Sequence, residues 1–402
     1  MKMFEYSAIE RLLITKRTAI NDKFGTNYWG GKMDVIIKKS IQEIEEDVWN
    51  SIIKENSITK SHAFLLSVER SMSMVNKFWY FLFYEDNQLV GHASLFTHFV
   101  KMEDVIGNKQ FEMFVEKMRK SLKNLFRIKV LGCGTPIATC SDEITIVDGY
   151  LDHDKIMEVL VKEMKKIACI EKVNFIMIRD FTSESAVDKK IFQSYGYKLV
   201  NVLPTSFVDI KWDTFEGYVN SFKSSTKAKI KRNRNKFFVE DIEVCIEDDF
   251  SMYTNEMICL YNNVYERAEE KFEKLNEDFF AEINRNLLER SKAIIVKKGS
   301  NIVAMELVLE DEEILRPLYV GIDYRYNESY KIYFNMIYQI IEMGISRGKK
   351  KVELGQTCYH PKKQAGAYVC KMHMYLRFRN DVINYIFGKF LHTLFSDYKD
   401  IK

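Results

Sequence analysis

Two stretches of this chain run through the same order of elements, and that repetition limits the fold more than any single motif does. The first opens with a hairpin, Phe78–Tyr84 and Leu89–Phe96, joined by the turn Glu85-Asp86-Asn87-Gln88. A helix around Phe111–Leu125 and strands at Ile128–Gly132 and Glu143–Val147 follow. Within Asp154–Cys169, Ile156, Leu160, Met164 and Ile167 recur at the spacing of one face of an amphipathic helix. A strand at Val173–Ile178, a short helix at Val187–Ser194 ended by Gly196, and strands at Tyr197–Val202 and Phe207–Trp212 complete the stretch.

The second stretch starts with helices at Phe215–Phe237 and Met252–Phe272 and then repeats the order. Its hairpin is Ala293–Lys297 and Ile302–Leu309 about Lys298-Gly299-Ser300-Asn301. The strand Ile314–Ile322 contains Pro317, which calls for a bulge or an edge. A helix apolar on nearly all sides, Tyr330–Ile345, precedes the strand Val352–Leu354, a short helix at Pro361–Ala365, Gly366, and the alternating Tyr368–Phe378. Residues 1–60 read as polar and helical, with a turn at Tyr28-Trp29-Gly30-Gly31, and Val382–Phe395 as an amphipathic helix. The expected organisation is a helical lead-in over 1–45, units at 46–212 and 213–380, and a closing helix over 381–402. Packing, dimerisation and peripheral membrane contact all suit that last helix, so monomer and homodimer both stay open.

Composition fits abutting domains: among 402 residues, 47% are apolar and 29% charged, while 4 prolines and 17 glycines leave no long linker. Sixty Lys and Arg against 57 Asp and Glu give +3, which excludes a general nucleic-acid binder and makes any anion site local. The seven scattered cysteines lack a CxxC, as in reduced cytoplasmic proteins. Glu5, Glu10, Arg11, Lys16 and Arg17 interrupt Met1–Ile20, so no signal peptide is expected, and no stretch reaches the roughly 18 apolar residues of a membrane span. G-x-S-x-G, Walker and H-E-x-x-H motifs are all missing.

The shared order of hairpin, strand, helix, strand, helix, strand is similar to that of the GNAT acyltransferases, and its doubling resembles the FemAB-like branch. Three segments carry the likeness. Pro204-Thr205-Ser206-Phe207-Val208-Asp209-Ile210 leads through Phe215-Glu216-Gly217-Tyr218 into a basic run ending at Lys236. Gly321-Ile322-Asp323 precedes Tyr330 and Tyr333. Leu354-Gly355-Gln356-Thr357-Cys358-Tyr359-His360-Pro361-Lys362, followed by Gly366, resembles the family's Gly-Gln-Thr…Tyr…Lys…Gly signature. The resemblance implies an α/β fold of two tandem GNAT-like domains, each a mixed, mostly antiparallel twisted sheet with flanking helices. It also implies an N-acyltransferase that moves an acyl or aminoacyl group from a phosphopantetheine thioester, on coenzyme A or an acyl carrier protein, to a small-molecule or peptide amine. The glycine-rich pyrophosphate loop of ordinary GNAT enzymes is absent before Asp154 and at Asn327-Glu328-Ser329-Tyr330. The coiled-coil hairpin of Fem-type aminoacyl-tRNA ligases is absent as well.

Amine acylation needs a proton acceptor, oxyanion donors and a proton for the leaving group. The candidates are Glu306 on the returning hairpin strand, Tyr319 beyond Pro317, and Glu353 beside Gly355; a solvated strand face is the plainer reading of both carboxylates. The resemblance sets strands four and five about the donor, with Tyr359 and Lys362 as groups that protonate a leaving group or bind phosphate. Gln356, His360, Asn327, Ser329 and Tyr330 join them as donor-binding residues. Lys227, Lys231 and Arg234 share a helical face suited to a phosphate-bearing ligand, or are simply solvated. Sequence-specific nucleic-acid recognition is not expected, because no aromatic residue interrupts that run before Phe237. No metal is expected either: Cys358-x-His360 and Cys370-x2-His373 offer soft ligands, but residues three apart diverge on a strand. Further readings are a Fem-type tRNA-dependent ligase and a non-catalytic module that binds a carrier protein.

Overall fold

The computed structural model describes residues 33–54, 57–101, 127–141, 144–182, 189–268, 271 and 273–394. Its strands in the first half are β1 (Met33–Lys38), β2 (Phe78–Glu85), β3 (Gln88–Lys101), β4 (Arg127–Cys133), β5 (Ile144–Ile146), β6 (Phe175–Thr182) and β7 (Lys198–Asp209). Those of the second are β8 (Ile242–Glu247), β9 (Ser291–Lys298), β10 (Asn301–Glu310), β11 (Ile314–Ile322), β12 (Lys351–Gly355) and β13 (Tyr368–Phe378). The helices are α1 (Glu46–Asn50), α2 (His62–Met72), α3 (His153–Ile170), α4 (Lys189–Ser194), α5 (Phe215–Asn220) and α6 (Ser224–Phe237). They continue with α7 (Thr254–Arg267), α8 (Phe279–Asn286), α9 (Tyr324–Tyr330), α10 (Ile332–Ser346), α11 (Tyr359–Gln364) and α12 (Asp381–Leu394).

All these strands join one sheet in the order β1-β2-β3-β4-β6-β13-β7-β12-β11-β10-β9-β8, with β5 on β3. The halves expected at 46–212 and 213–380 therefore share a sheet, and they exchange their last strands. β13 runs antiparallel between β6 and β7, from Phe378 opposite Phe175 to Tyr368 opposite Phe207. β7 in turn pairs with β12, from Asp209 opposite Lys351 to Ser206 opposite Gly355.

Two differences from the sequence reading have physical causes. Residues 33–38 were expected to be helical, but Met33-Asp34-Val35-Ile36-Ile37-Lys38 is strand β1 on the edge of β2; β-branched side chains on a half-buried edge outweigh the polar surroundings. β7 is one strand rather than two, and it passes Pro204 through a bulge in which Leu203 and Pro204 face Lys371 alone, where a missing N–H costs nothing. The bulge expected at Pro317 is present: Leu307 faces Tyr319 and Val308 faces Pro317, leaving Leu318 extra. The helix expected around Phe111–Leu125 lies outside the described residues.

Three apolar cores hold the layers. Ile156, Leu160 and Met164 of α3 cover Phe81, Leu131 and Ile176 in the first half. Ile337, Ile340 and Ile341 of α10 cover Ile294, Val308 and Val352 in the second. On the opposite face, Phe64 and Val68 of α2 join Phe279, Phe280 and Ile283 of α8, so this core spans both halves. Ser67 Oγ donates to the Glu282 carbonyl across that joint at 3.1 Å. α7 crosses β11 at Gly321, where a Cβ would meet the backbone of Leu260 and Tyr261 at 2.7 Å; any side chain there would push the helix off the strand. Among the described residues no helix is long and apolar enough to cross a membrane.

His92 is buried on β3 and stacks on Trp49, with ring centroids 3.9 Å apart. Burial, helped by the charge of Lys60, pushes its imidazole from 6.5 down to about 3. The unfolded chain thus binds the extra proton between these values. The contribution of His92 to stability is complete above 6.5 and lost toward 3, by up to about 1.4 kcal/mol per pH unit. Denaturant titrations on either side of pH 6.5 should show a shallower acid loss for His92→Gln than for the parent; equal slopes would contradict it.

Candidate active site

β11 and β12 are parallel but pair only at Ile314–Lys351 and Leu315–Val352. Beyond Leu315 they part, and β7 occupies the other edge of β12. The result is an opening inside the sheet, lined by unpaired backbone of β11.

Glu306 sits beside this opening. Ala304 and Val308, two residues to either side on β10, belong to the core under α10, so strand alternation turns Glu306 to the same face. The residue is 9% exposed, and its Oε2 has no hydrogen-bond partner. Burial pushes the carboxyl up to about 8, opposed by the positive charge of Lys362.

Lys362 reaches the opening from α11. Its Nζ donates to the carbonyls of Gly355, at 3.1 Å, and Gln356, at 2.6 Å. Those groups belong to a turn in which Gly355, Thr357 and Cys358 have φ of +69°, +59° and +46°. For Thr and Cys this left-handed backbone is costly and must be held in place. Burial lowers Lys362 to about 8, and the negative charge available on Cys358, Cys140, Glu306 and Glu353 works the other way. A carboxyl raised and an amine lowered toward the same value, within reach of each other's charge, form a pair suited to moving protons near neutrality.

The rest of the signature grips the exchanged strand. Gln356 Nε2 donates to the Leu203 carbonyl at 2.7 Å, and the Tyr359 hydroxyl to the Pro204 carbonyl at 2.8 Å. The bulge at Pro204 leaves these two carbonyls available, so signature and bulge are complementary parts of one lock. His360 is exposed and pairs with Gln364 at 2.5 Å.

Glu353 and Tyr319 lie on the sheet's other face. Val352 and Leu354 face α10, so Glu353 between them does not; Arg316 pairs with it, and Thr205 donates to it at 3.2 Å. Arg316 also holds the fully buried Asp311 at 2.9 Å. The Tyr319 hydroxyl donates to Glu273 at 2.8 Å, and burial raises both groups. The structure therefore gathers Glu306 and Lys362 on one face of the sheet and turns Glu353 and Tyr319 to the other, with the charge of Glu353 still reaching Lys362.

Among the donor-binding candidates, Asn327 Oδ1 accepts the backbone N–H of Tyr333 at 3.0 Å, Ser329 is exposed on α9, and the Tyr330 ring lies 5.5 Å from Lys298 Nζ. Arg234 is engaged by Glu342 at 2.8 Å and stacks on Phe215 and Phe238. Lys227 and Lys231 make no ion pair with the described residues, and Lys229 instead reaches Gln364. A cavity of about 210 Å³ beside Lys229 is lined by Ser225, Thr226, Ile230, Tyr338 and Gln364, and by neither Glu306 nor Lys362. Among the described residues no group of three or more His, Cys, Asp or Glu could hold a metal ion.

Sequence reasoning assigned no role to Tyr333, although its segment had been noticed. Burial raises its hydroxyl, and the charges of Cys358 and Glu306 push in the same direction. Only the packing of the start of α10 over the turn after β12 reveals that neighbourhood.

Residues 40–399 match the FemAB-like family model, described as peptidoglycan biosynthesis/recognition. Curated relatives in two Mycobacterium tuberculosis strains, each a putative 8-amino-7-oxononanoate synthase 2, are 24% identical over 345 residues. The match covers 80% of this chain and 42% of theirs, so the chain spans about two fifths of the length of these relatives. The solved structure of FemX is similar in fold, with a TM-score of 0.53 and 12% identity over 85% of this chain and 96% of FemX. A tandem GNAT protein from the clavulanic acid biosynthesis pathway aligns with a TM-score of 0.46 and 7% identity over 87% of this chain and 99% of its own. From the family match over residues 40–399, nearly its whole length, the chain belongs to the FemAB-like family.

Proposed function

We propose that the protein transfers an acyl or aminoacyl group from a phosphopantetheine thioester, on coenzyme A or an acyl carrier protein, to an amine by direct attack. The observation that carries this reading is the opening between β11 and β12, with the unpartnered Glu306 oxygen and Lys362 beside it. In the proposed reaction the amine nitrogen bonds to the thioester carbonyl carbon and its proton passes to the Glu306 carboxylate. Unpaired N–H groups of β11 receive the oxyanion. The carbon–sulfur bond then breaks, and the thiolate takes a proton from Lys362, whose third N–H is not used in holding the turn. The first half would complete the acceptor cleft, since such sites commonly form where units meet. Among the described residues no disulfide links the seven cysteines, which supports a cytoplasmic setting.

The test is mass spectrometry of products formed from candidate amines with acyl-coenzyme A or loaded carrier protein. Alanine at both Tyr359 and Lys362 is expected to abolish turnover, the first by releasing the Pro204 lock and the second by removing the proton donor; full activity in that double variant would refute the assignment. An aminoacyl-tRNA donor is the second reading, favoured by the fold shared with FemX and by Lys227 and Lys231 of α6, which make no ion pair with the described residues. Ribonuclease destroys activity in that case and spares it with a thioester donor.

A further inference from the structure

We propose that the outward face of α6 is the docking surface for an acidic, helical carrier protein that delivers the thioester on its prosthetic arm. No acidic residue occurs between Glu216 and Glu240, while seven cations lie from Lys223 to Lys236. Two of them are committed within the molecule, Arg234 to Glu342 and Lys229 to Gln364. Lys223, Lys227, Lys231 and Arg232 make no ion pair with the described residues, and Lys236 influences Glu328, which Lys331 already neutralises. Buried Ile230, Asn233 and Phe237 fix the inner side of the helix. The exposed Ser224, Ala228 and Asn235 then form a low outer ridge. Lys223, Lys227 and Lys231 follow one flank of it at intervals of one turn, and Arg232 and Lys236 follow the other. Like charges at that spacing repel and weaken a helix by itself, and an anionic partner offsets the repulsion.

The shape of this face selects among anionic partners. Short side chains on the ridge let the backbone of a second helix come close, while the flanking cations reach carboxylates on both of its sides. Single-stranded RNA is held by base stacking, and the exposed face of α6 has no aromatic side chain. The helix also adjoins the reaction centre. Lys229 Nζ donates to Gln364 Oε1 at 2.5 Å, and Gln364 shares α11 with Lys362. The cavity of about 210 Å³ beside Lys229 is lined from α6, α10 and α11 together, and Ser225 and Thr226 offer hydroxyls there to the phosphate of the arm.

This partner rests on the proposed thioester donor, so docking and turnover are read separately. The full-length protein is titrated with the apo form, which has no arm, of an acidic acyl carrier protein from bacterial fatty-acid synthesis. Separate titrations use total tRNA, and all are followed by calorimetry at about 0.05 M and about 0.5 M salt. Turnover is measured with the loaded carrier and with acyl-coenzyme A. The variant Lys223→Gln/Arg232→Gln/Lys236→Gln removes exposed charge and keeps polar, helix-favouring side chains. It is expected to raise the Kd for the apo carrier and the KM for the loaded one about tenfold, and to leave kcat with acyl-coenzyme A unchanged. High salt should erase the difference between parent and variant, and Arg232→Lys should bind as the parent does. Equal carrier affinity in parent and variant, no carrier binding at low salt, or tRNA binding in its place would overturn the proposal. Salt-dependent carrier binding that the variant loses, with no thiol released from any thioester, upholds the surface and removes the thioester reaction. Turnover with acyl-coenzyme A but no carrier binding keeps the reaction and removes the surface.

Discussion

Glu306→Gln is expected to lower kcat by roughly 10²–10⁴-fold while the protein keeps its fold. Glutamine copies the shape of the protonated carboxyl, the form that burial favours, but cannot accept a proton from the attacking amine. The pH dependence should carry the same signature. Activity rises as Glu306 ionises at about 8 and falls as Lys362 loses its proton at about 8, so the parent should have a narrow bell near that pH. Because the groups interact, the two limbs belong to the pair. The substitution should also alter stability with a definite sign. A carboxyl raised from 4.5 to about 8 contributes fully below the lower value, and that contribution is lost as pH rises through the upper one, so Glu306→Gln should outlast the parent in alkaline denaturant titrations. Unchanged kcat and an unchanged acid limb would remove Glu306 from the mechanism.

Separating the halves should have the larger structural effect. A chain beginning after Lys211 retains β8–β13 but lacks β6 and β7, so β13 loses both neighbours and β12 loses one. Such a fragment is expected to show no cooperative thermal transition alone, and to recover one when co-expressed with residues 1–211. Circular dichroism and melting of the fragments, separate and together, decide the matter. A second half that melts cooperatively by itself would mean that the exchanged strands are dispensable.

The doubled order of elements was legible because periodicity is local: Ile156, Leu160 and Met164 state their helix wherever it packs. The exchange of β7 and β13 was not, since it depends on which neighbours each strand finds, and hydrophobic alternation is the same beside either. Pro204 and Pro317 did announce their irregularities. What Pro204 could not disclose was that its bulge offers carbonyls to Gln356 and Tyr359, two residues far along the chain. Glu306 and Glu353 looked alike as single carboxylates in strands. Their difference lies in the face each presents and in Arg316, which neutralises one of them and leaves the other alone. β1 stayed hidden because its six residues make sense only against the edge of β2.

Exchanged terminal strands also govern what inheritance can do with such a chain. Deleting either half would strip a strand from the interior of the other, so neither can be discarded as a spare copy or traded as a free-standing module. Substitutions that erase chemistry from one half carry no such cost, provided the strand it lends still fits. Selection can thus release one half from catalysis while keeping it indefinitely as architecture.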